Sequence, residues 1–410
     1  MNFSNLKEIG HKYRIKTNRL LRNIRNRSKS DSLSHYFVKE FNVDKKHLFF
    51  GYYDVSPFND KNLMLACIVD SKDNNMEIGY YDLDSENNLF TKVSESRTWC
   101  WQMGCRLQWF RGSDNLIFFN DVLDGKYASR ILDIKNREDY MTLDSPLYCL
   151  TKDGNYGLSL NFTRLEALRP GYGYSLFPES NLEVGEPDND GIFLIDTGKN
   201  TSKLLFSIKD ISNFERESSM ENAVHYLNHL LFNPDGNKFL FFHCWLKAGI
   251  KKVRTLVSDI DGKNLGLISN SDSVLSHYNW INSNEIICYQ GNGFSGKGYY
   301  KHNIKDSKFR KLDKYPHNNL DGHPTLWNDF LVTDTVPDQY SDRHLSLFDI
   351  QSNSFVKLAS LYSPLGLVKK NRCDFHPKLN SKKTLISIDS AHNNLRSMLV
   401  FDIGNLVSRQ

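Results

Sequence analysis

Histidine is scarce in this sequence, 13 residues in 410. Yet His229, His277, His323 and His376 recur at comparable places, each a few residues ahead of a turn or strand rich in Asn, Asp, Gly or Ser. Converging imidazoles and carboxylates can ligate a divalent metal or serve as acid and base near neutral pH. Asp374 and His376 stand at i and i+2, which on a strand puts both side chains on one face. Tyr52, Tyr53 and Asp54 hold the matching place in the first repeat, and Arg106, Gln108 and Trp109 in the second. Aromatic residues crowd the same segments, among them Trp99, Trp101, Trp245, Tyr278 and Trp280. Ring faces stack on the CH faces of sugars while Arg, Asn and Asp bond hydroxyls, so the set suits a carbohydrate surface. For any one of these residues a plainer role is open: a His or Asp tying strands together, an aromatic filling the core.

What would bring residues so far apart in sequence together is a repeat. An apolar run, a polar turn and a second strand recur as PFNDKNLMLAC at 57–67, RGSDNLIFFND at 111–121, TKDGNYGLSLN at 151–161 and NPDGNKFLFFH at 233–243. INSNEIICYQ at 281–290, LWNDFLVTD at 326–334 and LNSKKTLISID at 379–389 continue the series. A second marker, a strand ending in Asp or Asn, falls at Asp82, Asp133, Asp196, Asp259, Asn303, Asp349 and Asp402. Repeats of roughly 50 residues, each all strand, predict a seven-bladed β-propeller. Its inner strands would line a central channel with the residues just before each turn. The expected fold is therefore all-β, with the propeller over 46–405 and a basic, helical extension over 1–45 outside it. Residues 162–190 read as an inserted loop, and 208–226 as a polar stretch with helical character.

Composition narrows the function. Lys and Arg number 52 against 48 Asp and Glu, a net charge of +4, so the molecule is no general polyanion binder, and no nucleic-acid recognition module is present. The basic excess sits in 1–30, where Lys7, Lys12, Arg14, Lys16, Arg19, Arg22, Arg25, Arg27 and Lys29 face one acid, Glu8. Leu6, Ile9, Tyr13, Leu20, Leu21 and Ile24 are interleaved at roughly helical spacing, which suits an anionic membrane surface. No apolar run is long enough to span a bilayer, and 1–30 lack a secretory core. Seven scattered Cys suit reduced thiols. The expected location is cytoplasmic, peripheral on the inner face of the cell membrane.

Four segments carry a resemblance. LNHLLFNPDGNKFLFFHCW at 227–245, VRTLVSDIDG at 253–262, LSHYNWI at 275–281 and NRCDFHPKLNSKKTLISIDS at 371–390 resemble, in order and spacing, blades of the oligogalacturonate lyase family. These are seven-bladed propellers related to the TolB-type repeat. The resemblance implies metal-assisted β-elimination on a uronic-acid glycan, with His277 as proton-abstracting base and Arg254 as partner of the substrate carboxylate. It implies a divalent metal, Mn²⁺ in the family, on His323 and His376. The family's remaining two metal ligands, His and Gln, fall on Asp374 and Asn371. His229, His243, Tyr53, Asp54 and Arg372 are the expected substrate contacts. A second expectation comes from the basic N-terminus: a membrane-peripheral glycosyltransferase or glycan-binding protein of surface polysaccharide assembly, acting on a lipid-linked glycan. Against a transferase, no Gly-rich phosphate loop precedes a helix.

Overall fold

Six of the seven recurring turns fold as they do because a side chain caps them, and the seventh is a two-residue hairpin at Asn328 and Asp329. Asn59 Oδ1 accepts the backbone N–H groups of Lys61 and Leu63, and Asn233, Asn282 and Asn380 each bond two N–H groups of their own turns in the same way. Ser113 and Thr151 use their hydroxyls for it. The second marker is likewise a turn that an Asp or Asn closes on the backbone two or three residues ahead: Asp82 accepts from Asp84, Asp133 from Lys135, Asn303 from Lys305 and Asp402 from Gly404. Short polar side chains offer this local alternative to a continuing strand, which is why they punctuate the repeat.

A computed structural model describes residues 31–70, 75–291 and 296–408. The described chain forms seven antiparallel sheets of four or five strands, the blades of a propeller. Their innermost strands are His47–Phe49, Gln108–Trp109, Cys149–Leu150, Val224–Phe232, Leu275–Trp280, Thr325–Trp327 and Lys378–Leu379. In each of the first six blades three further strands follow outward in chain order. The apolar cores lie between the faces of neighbouring blades; one cluster joins Leu48 and Leu65 of blade one to Leu107 of the link into blade two and Met398 of blade seven. Burying a side chain of this size contributes about 1.5–3 kcal/mol.

The ring closes through its N-terminal region. Phe37–Phe41 is the outermost strand of blade seven, pairing with Ser397–Asp402 in the register Phe41 with Met398. Ser32–Leu33 adds a fifth strand to blade six. The propeller therefore begins at about residue 32, not 46. FVKEF has apolar ends around Lys39 and Glu40, too short and too irregular to announce a strand, and its partner is the last strand of the chain, which no local pattern points to. The expected helix and membrane contact of 1–30 fall outside the described residues. Of the inserts, 162–190 is not all loop. Phe162–Leu168 is a helix capped by Asn161, whose side chain accepts from Arg164 N, and Ile208–Asn213 is a second with Ser207 and Asp210 as a capping box. Arg164 fastens the first insert by donating to the carbonyls of His225, Asn181, Val184 and Gly185.

Candidate active site

Where the inner strands begin, a pocket of about 350 Å³ opens on the channel. Its floor is set by the start of the inner strand of blade five and by the segments just ahead of the inner strands of blades six and seven. Asp334, fully buried, organises it. Its carboxylate accepts the backbone N–H of His323 (2.7 Å) and of His376 (3.2 Å), and the His323 Nδ1 proton at 2.8 Å. His376 donates its own Nδ1 proton to the carbonyl of Gly51 at 3.1 Å. Both rings thus carry their lone pair on Nε2, and among the described residues neither Nε2 has a hydrogen-bond partner. A carboxylate or carbonyl on the far nitrogen is the usual support of a metal-binding imidazole. The ring centres are 4.4 Å apart, and ligand atoms of His323, Asp374 and His376 lie within 4.8 Å of one another. Burial holds both histidines below their ordinary pKa, with Asp334 partly offsetting it at His323. His376 sits in the left-handed backbone region, φ 46°, a strain found often at functional positions.

Asp374 is held by two guanidiniums, Arg343 at 2.5 Å and Arg372 at 2.7 Å. Burial works against its charge, but Arg343 and Arg372 outweigh it and keep the carboxyl well below the usual range. His277 stands beside His323, ring centres 4.2 Å apart, and shares its Nδ1 proton with Asp321 at 2.9 Å. Arg169, Lys251, Arg343 and Arg372 bring positive charge to the walls, with Tyr52 and Tyr172 as ring surface.

Of the predicted site residues, His277, His323, Asp374, His376 and Arg372 meet here. Arg254 does not. It is buried behind the sheet, donating to His243 Nδ1 and to the carbonyls of Ile211, Phe214 and Glu215. The pocket instead receives Lys251 of the same strand, and an odd spacing of three puts the two on opposite faces. His243 is buried between Arg254 and His225, 2.8 Å from His225 Nδ1, and does not line the pocket. Tyr53 plugs the channel, its hydroxyl donating to Tyr278 O at 2.7 Å, and His229 stacks on Tyr278 in full burial. Asp54 forms a buried bidentate pair with Arg106 and lines a different cavity, at the far ends of the inner strands. Asn371 faces a neighbouring depression with Trp101 and Lys370. Sequence reasoning missed Asp321, Asp334, Arg343, Lys251, Arg169 and Tyr172. Asp321 was findable, since Asp321 and His323 repeat the i, i+2 spacing of Asp374 and His376. Asp334 ends the repeat segment at 326–334, but nothing in that segment says its side chain turns to the channel; Lys251 and Arg343 open third strands and Arg169 and Tyr172 lie in an insert, none of which carries a repeat marker.

No protein-family model and no curated protein matches the sequence. Solved structures do match. An oligogalacturonate lyase in complex with manganese aligns over 91% of this chain and 95% of its own, with TM-score 0.65 and 14% identity. The chain has the oligogalacturonate lyase fold. A second such lyase, from Vibrio parahaemolyticus, aligns over 88% and 92%, with TM-score 0.61 and 13% identity. The propeller domain of a protease from Pyrococcus furiosus aligns over 88% and 96%, at TM-score 0.50 and 9% identity. The lyase fold is thus shared with proteins of other activity, and chemistry has to be argued from the pocket.

Proposed function

We propose that this pocket carries out β-elimination on a uronic-acid glycan. The supporting observation is His277, backed by Asp321, beside the His323–His376 pair in a pocket walled by Arg169, Lys251, Arg343 and Arg372. Such walls draw in a carboxylate. With Nδ1–H held by Asp321, the Nε2 of His277 is the basic nitrogen, suited to take the proton next to the substrate carboxylate. Asp321 then stabilises the imidazolium. Charge passes into the carboxylate, where the Arg and Lys groups oppose it without rearranging. The C–O bond β to the carboxylate breaks as the C=C bond forms, and the leaving oxygen takes a proton from water. Lys251 and Arg343 fill the part expected of Arg254.

The donor set suits a divalent cation such as Mn²⁺: two buried imidazole nitrogens without hydrogen-bond partners among the described residues and one carboxylate, from His323, His376 and Asp374. Bound there, the ion would act as a Lewis acid toward the substrate carboxylate. Asp374, shared with two guanidiniums, keeps the ion site next to the anion-binding wall.

The test is growth of unsaturated-uronate absorbance on uronate oligosaccharides, with and without added Mn²⁺. Turnover that disappears in His277→Ala supports the proposal. A wild type inert on every uronate, yet transferring sugar from a nucleotide sugar to a lipid-linked acceptor, overturns it in favour of a role in polysaccharide assembly.

A further inference from the structure

Beside the pocket lies a larger cavity, about 610 Å³, lined by Trp99, Trp101, Asp70, Arg97, Glu166 and Lys370 among others. The two cavities share a wall. Tyr172 and Arg372 face the first, while their chain neighbours Gly171, Gly173, Lys370 and Asn371 face the second. The wall is built, not incidental. Arg372 donates to the Tyr172 hydroxyl at 2.6 Å, Gln102 takes the Gly171 carbonyl with its backbone N–H and the Arg372 carbonyl with its side chain, and Glu166 accepts the N–H groups of Gly171 and Gly173. At Gly171, φ 96°, a Cβ would meet the Lys370 backbone at 2.9–3.0 Å, so the two loops touch closely.

The chemistry of the cavities differs. The first presents cations to its occupant. The second sets Asp70 and Glu166 against Arg97 and Lys370, of which the last two are exposed, and adds indole surface from half-buried Trp99, while the Trp101 ring is covered by Arg396 and Phe49. Carboxylates that accept hydroxyl protons beside a ring that stacks on CH faces suit an uncharged sugar. With two carboxylates offset by two cations, a second uronate gains no net attraction there, unlike in the first cavity.

We propose that the second cavity binds a neutral sugar adjoining the uronate, so that the glycan processed is a mixed one in which acidic residues neighbour uncharged ones. This rests on the uronate reading of the first pocket. The test compares kcat/KM on two defined oligosaccharides of equal length, one all uronate and one alternating uronate with neutral hexose. The expected preference for the alternating glycan is at least tenfold, and Trp99→Ala brings the ratio toward one. Taking the ratio cancels any general loss of folded protein, and Asp70→Asn repeats the measurement without removing a ring. Equal rates on the two glycans, or a ratio unchanged in both variants, overturn the proposal while leaving the lyase reading intact. If neither glycan is turned over, calorimetric titration decides: tighter binding of the alternating glycan, lost in Trp99→Ala, supports the cavity's role, and equal binding overturns it.

Discussion

Asp334 touches no substrate, yet three of its hydrogen bonds fix His323 and His376. Asp334→Asn keeps the shape but can return an N–H toward Nδ1 of His323, which disfavours the tautomer with a free Nε2. Mn²⁺ affinity, read by calorimetry, is expected to fall about 10–100-fold. An unchanged affinity would separate Asp334 from the metal. His277→Ala should lower kcat by about 10²–10⁴-fold with the melting temperature preserved, since His277 is partly exposed and its ring fills a pocket rather than the core. Arg254 is expected to behave in the opposite way. Arg254→Ala removes the donor for three carbonyls and for His243, a destabilisation of roughly 2–4 kcal/mol in urea unfolding. A stable Arg254→Ala protein with no activity would return Arg254 to the chemistry. These two residues show how far side chains can be read from sequence. His277 was legible because its place in the repeat fixes it on the channel. Arg254 was misplaced because a segment likeness identifies the strand, while one face of that strand meets the pocket and the other meets an insert whose course the sequence did not reveal.

Blade five supplies an acid-sensitive element away from the site. His302, on the strand Gly298–Asn303, stacks on Phe309 with ring centres 3.8 Å apart, and burial lowers its pKa from 6.5 to about 4. The folded state thus holds His302 neutral while the unfolded chain takes up a proton below pH 6.5. Its contribution is present above pH 6.5 and is lost as the pH falls through 4, by up to about 3 kcal/mol. His302→Phe keeps a stacked ring and should lose less stability than wild type between pH 7 and pH 4 in urea melts; equal losses would refute the assignment. Seven blades were legible because Asx turns recur with chemistry of their own, at Asn59, Asn233 or Asp133 alike. The short strand pairs closing blades six and seven were not, because Ser32 and Phe37 find their partners at Ser360 and Phe401. Removing residues 1–41 strips blade seven of its outer strand, and the truncated protein is expected to lose its cooperative thermal transition. A truncation melting like the full chain would show that blade seven stands without it.

At the scale of the molecule, charge is uneven: the basic excess of residues 1–30 exceeds the net charge of the whole chain. Liposome co-sedimentation should therefore favour anionic over neutral vesicles, and replacing Arg19, Arg22 and Arg25 by Glu should abolish the difference. Equal binding to both vesicle types would remove the membrane from the account. Among the described residues no helix is long and apolar enough to cross a bilayer. The pairing of Phe37–Phe41 with Ser397–Asp402 also governs how a newly made chain matures. At synthesis rates of about 5–20 residues per second, the first of these strands leaves the ribosome on the order of tens of seconds before the second. Throughout that interval it is an unpaired edge, open to other nascent chains. Lys39 and Glu40 sit in its middle. Charges there discourage a foreign strand from zipping on, while the native partner accommodates them at the half-exposed rim of the ring. The same two side chains thus guard the waiting strand until the C-terminal strand arrives.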